Sequence, residues 1–408
     1  MSSHEDAVTN PSQNLHLNDV VEARVQDAGR RGLLRGGLGL SAMSLMSGAT
    51  ALLAACGSDD ETPVAAAPAP APAPATPVRP ADLPFSPVAK SLADAVVVAS
   101  GYTATVMLRL GDPLNASTPT YVNDGSDPGA SYATRVGDHH DGMYFFPLDA
   151  AGARSTTASD RGLLVMNHEA ITPAFLHRTG QTTTGTGNAQ VRTVADEVLK
   201  EFYVHGVTVA EVRRATSGVW SAVQNSTFNR RIHTLTDMVI SGPAAGTPMI
   251  TKYSTNGTRT RGTINNCANG YTPWGTYLTC EENWAGYFRR ITATDNPNRT
   301  AKELTSFARY GVAGTGRELW ATVTPDTADD LYGRWNAEVR GASAAADYRN
   351  GPNTVGWNVE IDPYAPTSTP KKRTAMGRFA HEGAWPARAV AGKPIVYYMG
   401  CDSRNEYI

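Results

Sequence analysis

The stretch TPWGTYLTCEENWAGYF, residues 272–288, decides how this chain is read. Aromatic, β-branched and small residues run up to Cys280, and two acids, Glu281 and Glu282, follow directly. Cys267 stands thirteen residues before Cys280, in the Asn/Gly-rich segment NNCANG. Such a run, bounded by Pro, Gly and Asn, has the marks of a buried strand. A core strand does not need a thiol and paired carboxylates at its end, so the pattern asks for a chemical reason.

Working outward, the same kind of run recurs. TATVML, RGLLVMNHE, FYVHGVTVAEV, GVWSAV, RRIHTL, NTVGWNVEID, RTAMGRF and PIVYYMG are short apolar or β-branched segments between turn residues. Amphipathic helical patterns are scarce, and the best is DEVLKEF at 196–202. The 38 Gly and 26 Pro fit a turn-dense protein of short strands. The expected fold class is therefore all-β, either a propeller or a large sandwich, and no repeat of fixed period selects between them. Hydrophobic content of 41% supports a core. Lys and Arg (36) nearly balance Asp and Glu (38), and no basic run stands out, so no nucleic-acid partner is expected.

The N-terminal part reads as an export signal. Residues 1–28 are polar; Arg30 and Arg31 then open a positive segment, followed by a mildly apolar, Gly/Ala-rich run at 36–55. That run is weak for a membrane-spanning helix. The layout resembles a twin-arginine signal, with Leu34 and Arg35 after the pair, and Leu53 to Cys56 resemble a lipoprotein box. This assigns residues 1–56 to an extension and signal, and the Pro/Ala-rich residues 57–81 to an extended linker. Residues 82–408 form the folded body. The expected location is the periplasm or the outer-membrane or cell surface, with membrane association only through the signal or a lipid anchor. The C-terminal GKPIVYYMGCDSRNEYI stops inside a strand pattern, so the body is expected to be incomplete there.

The four cysteines are Cys56, Cys267, Cys280 and Cys401. If Cys56 carries lipid, three remain, and a leftover thiol in an oxidising compartment wants a role that a metal would supply. Cys280 reads as a buried, unreactive strand residue; a Cys267–Cys280 disulfide is the open alternative. Acidic or His-Glu sites recur at the ends of apolar runs: Asp138 to Asp141, Asn167-His168-Glu169, Glu281-Glu282, Glu360 with Asp362, His381-Glu382, and Asp402 with Glu406. Converging carboxylates suit hard cations, although each pair alone is commonly a solvated loop. No HExxH helix, GxSxG elbow, phosphate-binding GxxxxGK loop or GxGxxG turn is present.

These residues also resemble a known family. NNCANGYTPWGTYLTCEENWAGYF (265–288) is similar to the core signature of the PhoX-type alkaline phosphatases. GLLVMNHEA (162–170), VHGVTVAEV (204–212), NSTFNRRIHTLTDMVISGPAAG (225–246), GWNVEIDP (356–363) and GRFAHEGA (377–384) resemble the family's other blocks, in its order. The resemblance covers roughly residues 85–408. It implies a six-bladed β-propeller, a multinuclear cluster of iron and calcium, and hydrolysis of small phosphomonoesters by a metal-borne oxygen, in a monomer exported by the twin-arginine translocase. It also implies Cys267 as an iron ligand and Glu282 or Glu281 with Glu360 as carboxylate ligands. Glu169 would bind calcium, and His168, Glu382 and Asp402 complete the implied metal set. Cys267, Glu282 and Glu360 should then converge. Arg378 and Arg404 are the candidates for holding phosphate. Cys401 stands where the family block reads Asp, and the family continues past residue 408, so a chain that truly ends there is expected to be inactive. Two other readings compete: a calcium-dependent, lactonase-like propeller hydrolase, which would not need Cys267, and a non-catalytic surface lipoprotein.

Overall fold

The computed structural model describes residues 86–403 and 408. The export signal, Cys56, the 57–81 linker and Arg404 lie outside the described residues. The chain divides into two compact units, Met1–Tyr102 and Thr103–Ile408. In the first, residues 86–102 contain no helix or strand; the second holds all described elements. No helix among the described residues is long and apolar enough to cross a membrane.

Among the described residues fifteen strands carry the body. They are β1 (His140–Pro147), β2 (Arg161–His168), β3 (Thr183–Thr184), β4 (Val191–Arg192), β5 (Gly206–Arg214), β6 (Trp220–Ala222), β7 (Arg230–Ile232) and β8 (Asp237–Ser241). The rest are β9 (Arg259–Arg261), β10 (Asn266–Tyr271), β11 (Tyr277–Glu281), β12 (Asn358–Ile361), β13 (Lys371–Arg373), β14 (His381–Pro386) and β15 (Tyr397–Cys401). One sheet has five strands, ordered β1-β2-β5-β6 with β7 also pairing β5; another has eight, ordered β15-β14-β10-β11-β12-β13-β8-β9; β3 and β4 pair alone. The architecture is mostly β, as expected. Among the described residues neither large sheet closes into a barrel, and the strand order does not by itself trace six blades.

The pairings follow from the runs read in the sequence. Most of β2 and β5 is buried, consistent with near-continuous apolar runs in inner strands. Phe146, Leu163, Val165, Val207 and Val209 of the first sheet pack with Tyr277, Val359 and Ile361 of the second, so the sheets share one core. An aromatic core built from Phe202, Trp284, Tyr287, Phe288, Trp320 and Trp335 lies beside it. Burial of such rings is the largest favourable term available to the fold.

The opening stretch is a strand only in part. β11 stops at Glu281, and Trp284–Tyr287 form a 3-10 turn that drives Trp284 and Tyr287 into the aromatic core. DEVLKEF lies inside the helix Ala195–Val204. A second ten-residue helix, Ala301–Tyr310, was not signalled by apolar periodicity. Its signature is at its ends: Thr300 and Glu303 form a reciprocal capping box, and Gly311 takes the left-handed conformation that closes it.

Candidate metal centre

Strand direction gathers the site. β10 and β11 are antiparallel, with Asn266 opposite Glu281; β14 runs parallel to β10; β15 is antiparallel to β14, with Cys401 opposite His381. The starts of β10 and β14 and the ends of β11 and β15 therefore share one end of the sheet. Cys267 and Glu382 are the second residues of β10 and β14, while Glu282 and Asp402 are the first residues after β11 and β15. Glu169 is the first residue after β2. Ligand atoms of Glu169, Cys267 and Glu282 all lie within 4.8 Å of one another, and so do those of Glu282, Glu382 and Asp402. Glu282 belongs to both groups.

Irregularities in the ladders aim these side chains. Between Asn266 and Asn269 the register spans three residues of β10 against two of β11, a bulge that contains Cys267. A like bulge in β1, between His140 and Met143, contains Asp141, and another in β14 begins at Glu382. A bulge inserts one residue and turns a side chain off the regular alternation. Gly142, beside Asp141, packs so closely on β10 that an added Cβ would stand 2.7 Å from the Asn269 nitrogen. Gly383, beside Glu382, has φ +93°, which favours glycine.

Asparagines brace the cluster. Asn265 is buried in the left-handed region at φ +50°, a conformation asparagine tolerates. Its Nδ2 donates to the Glu169 carbonyl and Oε1, both at 3.3 Å, and its Oδ1 accepts from the Asn283 backbone N–H. Asn283 Nδ2 donates to Glu282 Oε1 at 2.6 Å. Behind Cys267, Asn167 Nδ2 donates to the carbonyls of Cys267 and Ala268, and the single Tyr277 hydroxyl proton is shared between Asn167 Oδ1 at 2.9 Å and the Gly142 carbonyl at 2.7 Å. Such outer contacts orient metal ligands.

The electrostatics are those of an anionic concavity. Burial, then repulsion from Glu169 and Glu382, then contact with Asp402, raise the Glu282 carboxyl to about 7. Burial pushes the Cys267 thiol up, with the charges of Asp141 and Glu282 adding to it. Burial and Asp402 raise Glu382 as well. Four carboxylates and a thiol crowded together favour bound positive charge. The donor set fits a mixed metal group, because sulfur suits a transition metal and carboxylate oxygen suits a hard cation.

Other residues expected at the centre are placed elsewhere. Glu281, the last residue of β11, is fully buried. It accepts from Lys372 Nζ at 2.6 Å and from the Gly356 and Trp357 N–H groups at 2.9 and 3.1 Å, so its oxygens are spent on structure. Glu360 lies opposite Leu278, two rungs inside β12 from the Cys280–Asn358 pair, and accepts from Trp274, Thr276 and Arg373. Cys267 and Glu282 thus converge without Glu360. His168 is wholly buried; its Nε2 pairs with Thr208 Oγ1 at 2.7 Å and its Nδ1 with the Asp138 carbonyl at 3.2 Å. Arg378 stacks over Trp284 and Tyr310, with 4.1 and 4.4 Å to the ring centres, and donates to the Val355 and Pro352 carbonyls. It pins the 3-10 turn and does not face the acids. Arg404 lies outside the described residues.

Among the described residues the three thiols, Cys267, Cys280 and Cys401, are all free. Cys280 is buried and donates to Asn358 Oδ1 at 3.1 Å, so no Cys267–Cys280 disulfide forms. Asp141 was visible only as part of a run of acids and histidines. Asn265 and Asn283 gave no signal beyond their place beside Cys267 and Glu282. A cavity of about 250 Å³ adjoins Glu282, walled also by Arg309, Arg317, Tyr310, Phe379 and Cys401.

The family model for the alkaline phosphatase PhoX matches residues 83–408. Among curated proteins nothing matches the chain. Among solved structures the chain is similar to Pseudomonas fluorescens PhoX in complex with vanadate, a transition state analogue. Identity is 35% and the TM-score 0.65, over 78% of this chain and 48% of that one. The chain thus spans about half the length of that protein.

Proposed function

This chain belongs to the PhoX alkaline phosphatase family, and from that premise we propose that its acid-and-thiol centre serves the hydrolysis of small phosphate monoesters. One observation carries the reading: Glu169, Cys267 and Glu282 form one ligand group and Glu282, Glu382 and Asp402 a second that shares Glu282, although 233 residues of sequence (402 − 169) separate the first from the last. The solved relative binds vanadate, a transition state analogue.

We assign iron to the Cys267 side of the centre and calcium to the carboxylates, by the chemistry of the donors. Bound there, the cations would place positive charge against phosphoryl oxygens and acidify water. The chain's own residues do the rest. Cys267 offers a sulfur held by the β10 bulge and by Asn167. Glu282 joins the two ligand groups, with its oxygen fixed by Asn283. Asn265 keeps Glu169 turned toward them. Positioning of this kind is most of what phosphoryl transfer requires from a protein. A calcium-only lactonase-like hydrolase has no use for a thiol in the ligand group, which favours the phosphatase.

The finer family features stand as proposals on the sequence blocks: a six-bladed propeller, a monomeric enzyme, and twin-arginine export to the periplasm or the cell surface as a lipoprotein. The deciding experiment is elemental analysis of the purified chain, paired with release of p-nitrophenol from its phosphate ester before and after chelation. Bound iron and calcium with chelator-sensitive hydrolysis are expected. A protein that binds neither metal when supplied with both defeats the proposal.

A further inference from the structure

A second cavity, of about 430 Å³, shares no lining residue with the one beside Glu282. Its volume falls in the range of about 300–1,000 Å³ usual for small-molecule sites. Met249, Phe307 and Trp357, all buried, give it an apolar floor. The frame is braced without a ligand. Asn353 Nδ2 donates to the Pro248 carbonyl at 2.9 Å, Asn350 Nδ2 to the Ile250 carbonyl at 3.0 Å, and Trp357 Nε1 to the Asn353 carbonyl at 3.0 Å. These bonds tie the 3-10 turns Thr247–Met249 and Gly351–Thr354, with their flanks, into one wall.

The charge on this wall is positive and lacks a counter-ion. Arg378 lines the cavity, and among the described residues no carboxylate pairs with it; its bonds go to the Val355 and Pro352 carbonyls. Desolvation lowers the half-buried guanidinium to about 10, so it stays charged at neutral pH. The carboxylate that acts on it, Glu281, is already bonded to Lys372 at 2.6 Å. Lys372, fully buried, and Arg378 thus share one acid. Lys302, exposed, adds a further positive charge to the lining. Glu303, also on the wall, is committed to Thr300 and Arg299. A desolvated cation without a partner favours a bound anion. We infer that this cavity is a binding site for a small aromatic carboxylate, separate from the metal centre, with its carboxylate against Arg378 and Lys302 and its ring on Phe307, Met249 and Trp357. A guanidinium's paired donors match the two oxygens of a carboxylate. Aromatic rings and a thioether make favourable contacts with a ring laid on them. Stacking on Trp284 and Tyr310 already holds Arg378, so little side-chain freedom is lost on binding. The inference does not depend on the phosphatase reading.

The test is equilibrium dialysis of 2-naphthoate against the metal-loaded chain and its R378M, K302M and S306W variants, with melting temperature and release of p-nitrophenol from its phosphate ester measured on each. The neutral isostere 2-naphthalenemethanol serves as control. Wild type is expected to bind the carboxylate at least about tenfold more tightly than the alcohol, the worth of one charge-assisted contact. R378M should remove that preference, and K302M should weaken carboxylate binding about threefold, as for an exposed charge. Ser306 lines the cavity, so the indole of S306W should fill it and abolish binding, with phosphatase activity unchanged. If R378M does not fold, because Arg378 also pins Trp284, the alcohol control on wild type and S306W decide. Absence of naphthoate binding to wild type, or undiminished binding in S306W, overturns the site. Equal affinity for the alcohol overturns the anionic class. Each of these results leaves the phosphatase reading standing.

Discussion

The Cys267 thiol points at Glu382, with Sγ 3.8 Å from Oε1, across 115 residues of chain. Each side chain is the second residue of its strand, and β10 and β14 run parallel side by side. Two loci that look unrelated in sequence thereby become one donor pair. A soft and a hard ligand placed together are the reason to expect a transition metal here.

Replacing Cys267 by Ser should remove the sulfur donor and little else, since the side chain keeps its size. The purified variant is expected to lose iron and retain calcium, read by elemental analysis on wild type and variant prepared together. Full iron content in the variant would detach the thiol from the cluster.

Glu281 and Lys372 form a fully buried pair at 2.6 Å. Burial lowers the Lys372 pKa, and Glu281 opposes that shift. Lys372→Met should leave an uncompensated buried carboxylate and cost roughly 3–5 kcal/mol of stability. Urea unfolding monitored by Trp fluorescence would measure it. Metal content of the variant, still folded at low temperature, should be unchanged, because Glu281 is a structural neighbour of the centre and not a ligand.

Asn265→Ala removes the donor to Glu169 and the acceptor for Asn283 together. Loss of an outer contact of this kind typically costs about 10–100-fold in metal affinity. Competition with a chelator of known affinity should show a drop of that order. An unchanged affinity would mean that Glu169 and Glu282 need no bracing.

Buried histidines set an acid limit. Burial lowers His205 to about 4, and desolvation lowers the half-buried His233 to about 3. Both lie below the ordinary value near 6.5, so the folded state favours the neutral ring and the unfolded chain takes up protons first. Their contribution is complete above about pH 6.5 and is lost as pH falls toward 4, at about 1.4 kcal/mol per unit for each ring. The urea midpoint should therefore fall between pH 7.5 and 5, and fall less in His233→Asn. A flat midpoint over that range would contradict neutral burial.

Much of the fold was legible locally. The runs around 162–168, 206–214, 277–281 and 358–361 appear as strands, because alternating or continuous apolar residues between turn formers have few other ways to bury themselves. The helix Ala301–Tyr310 was not legible by periodicity. It is amphipathic over only ten residues, and its cap, Thr300 with Glu303, carries the signal. NWAGYF read as more strand, yet aromatic packing pulls it into a turn. That choice is made by the partner rings, Phe202 and Trp320 among them, and not by the segment.

The sequence by itself determined which residues stand at strand ends: Glu169, Glu282, Glu382 and Asp402 could be placed there from the runs beside them. It could not say which of two adjacent acids, Glu281 or Glu282, faces the centre. Successive strand residues point to opposite faces, so a single-residue difference in register or a bulge reverses the answer. Tertiary structure made that choice, through strand order, the parallel pairing of β10 with β14, and the bulges at Asp141, Cys267 and Glu382. It likewise turned Glu360 toward Arg373 and Arg378 toward Trp284. Ligand geometry is a property of neighbours distant in the chain, and no local pattern encodes it.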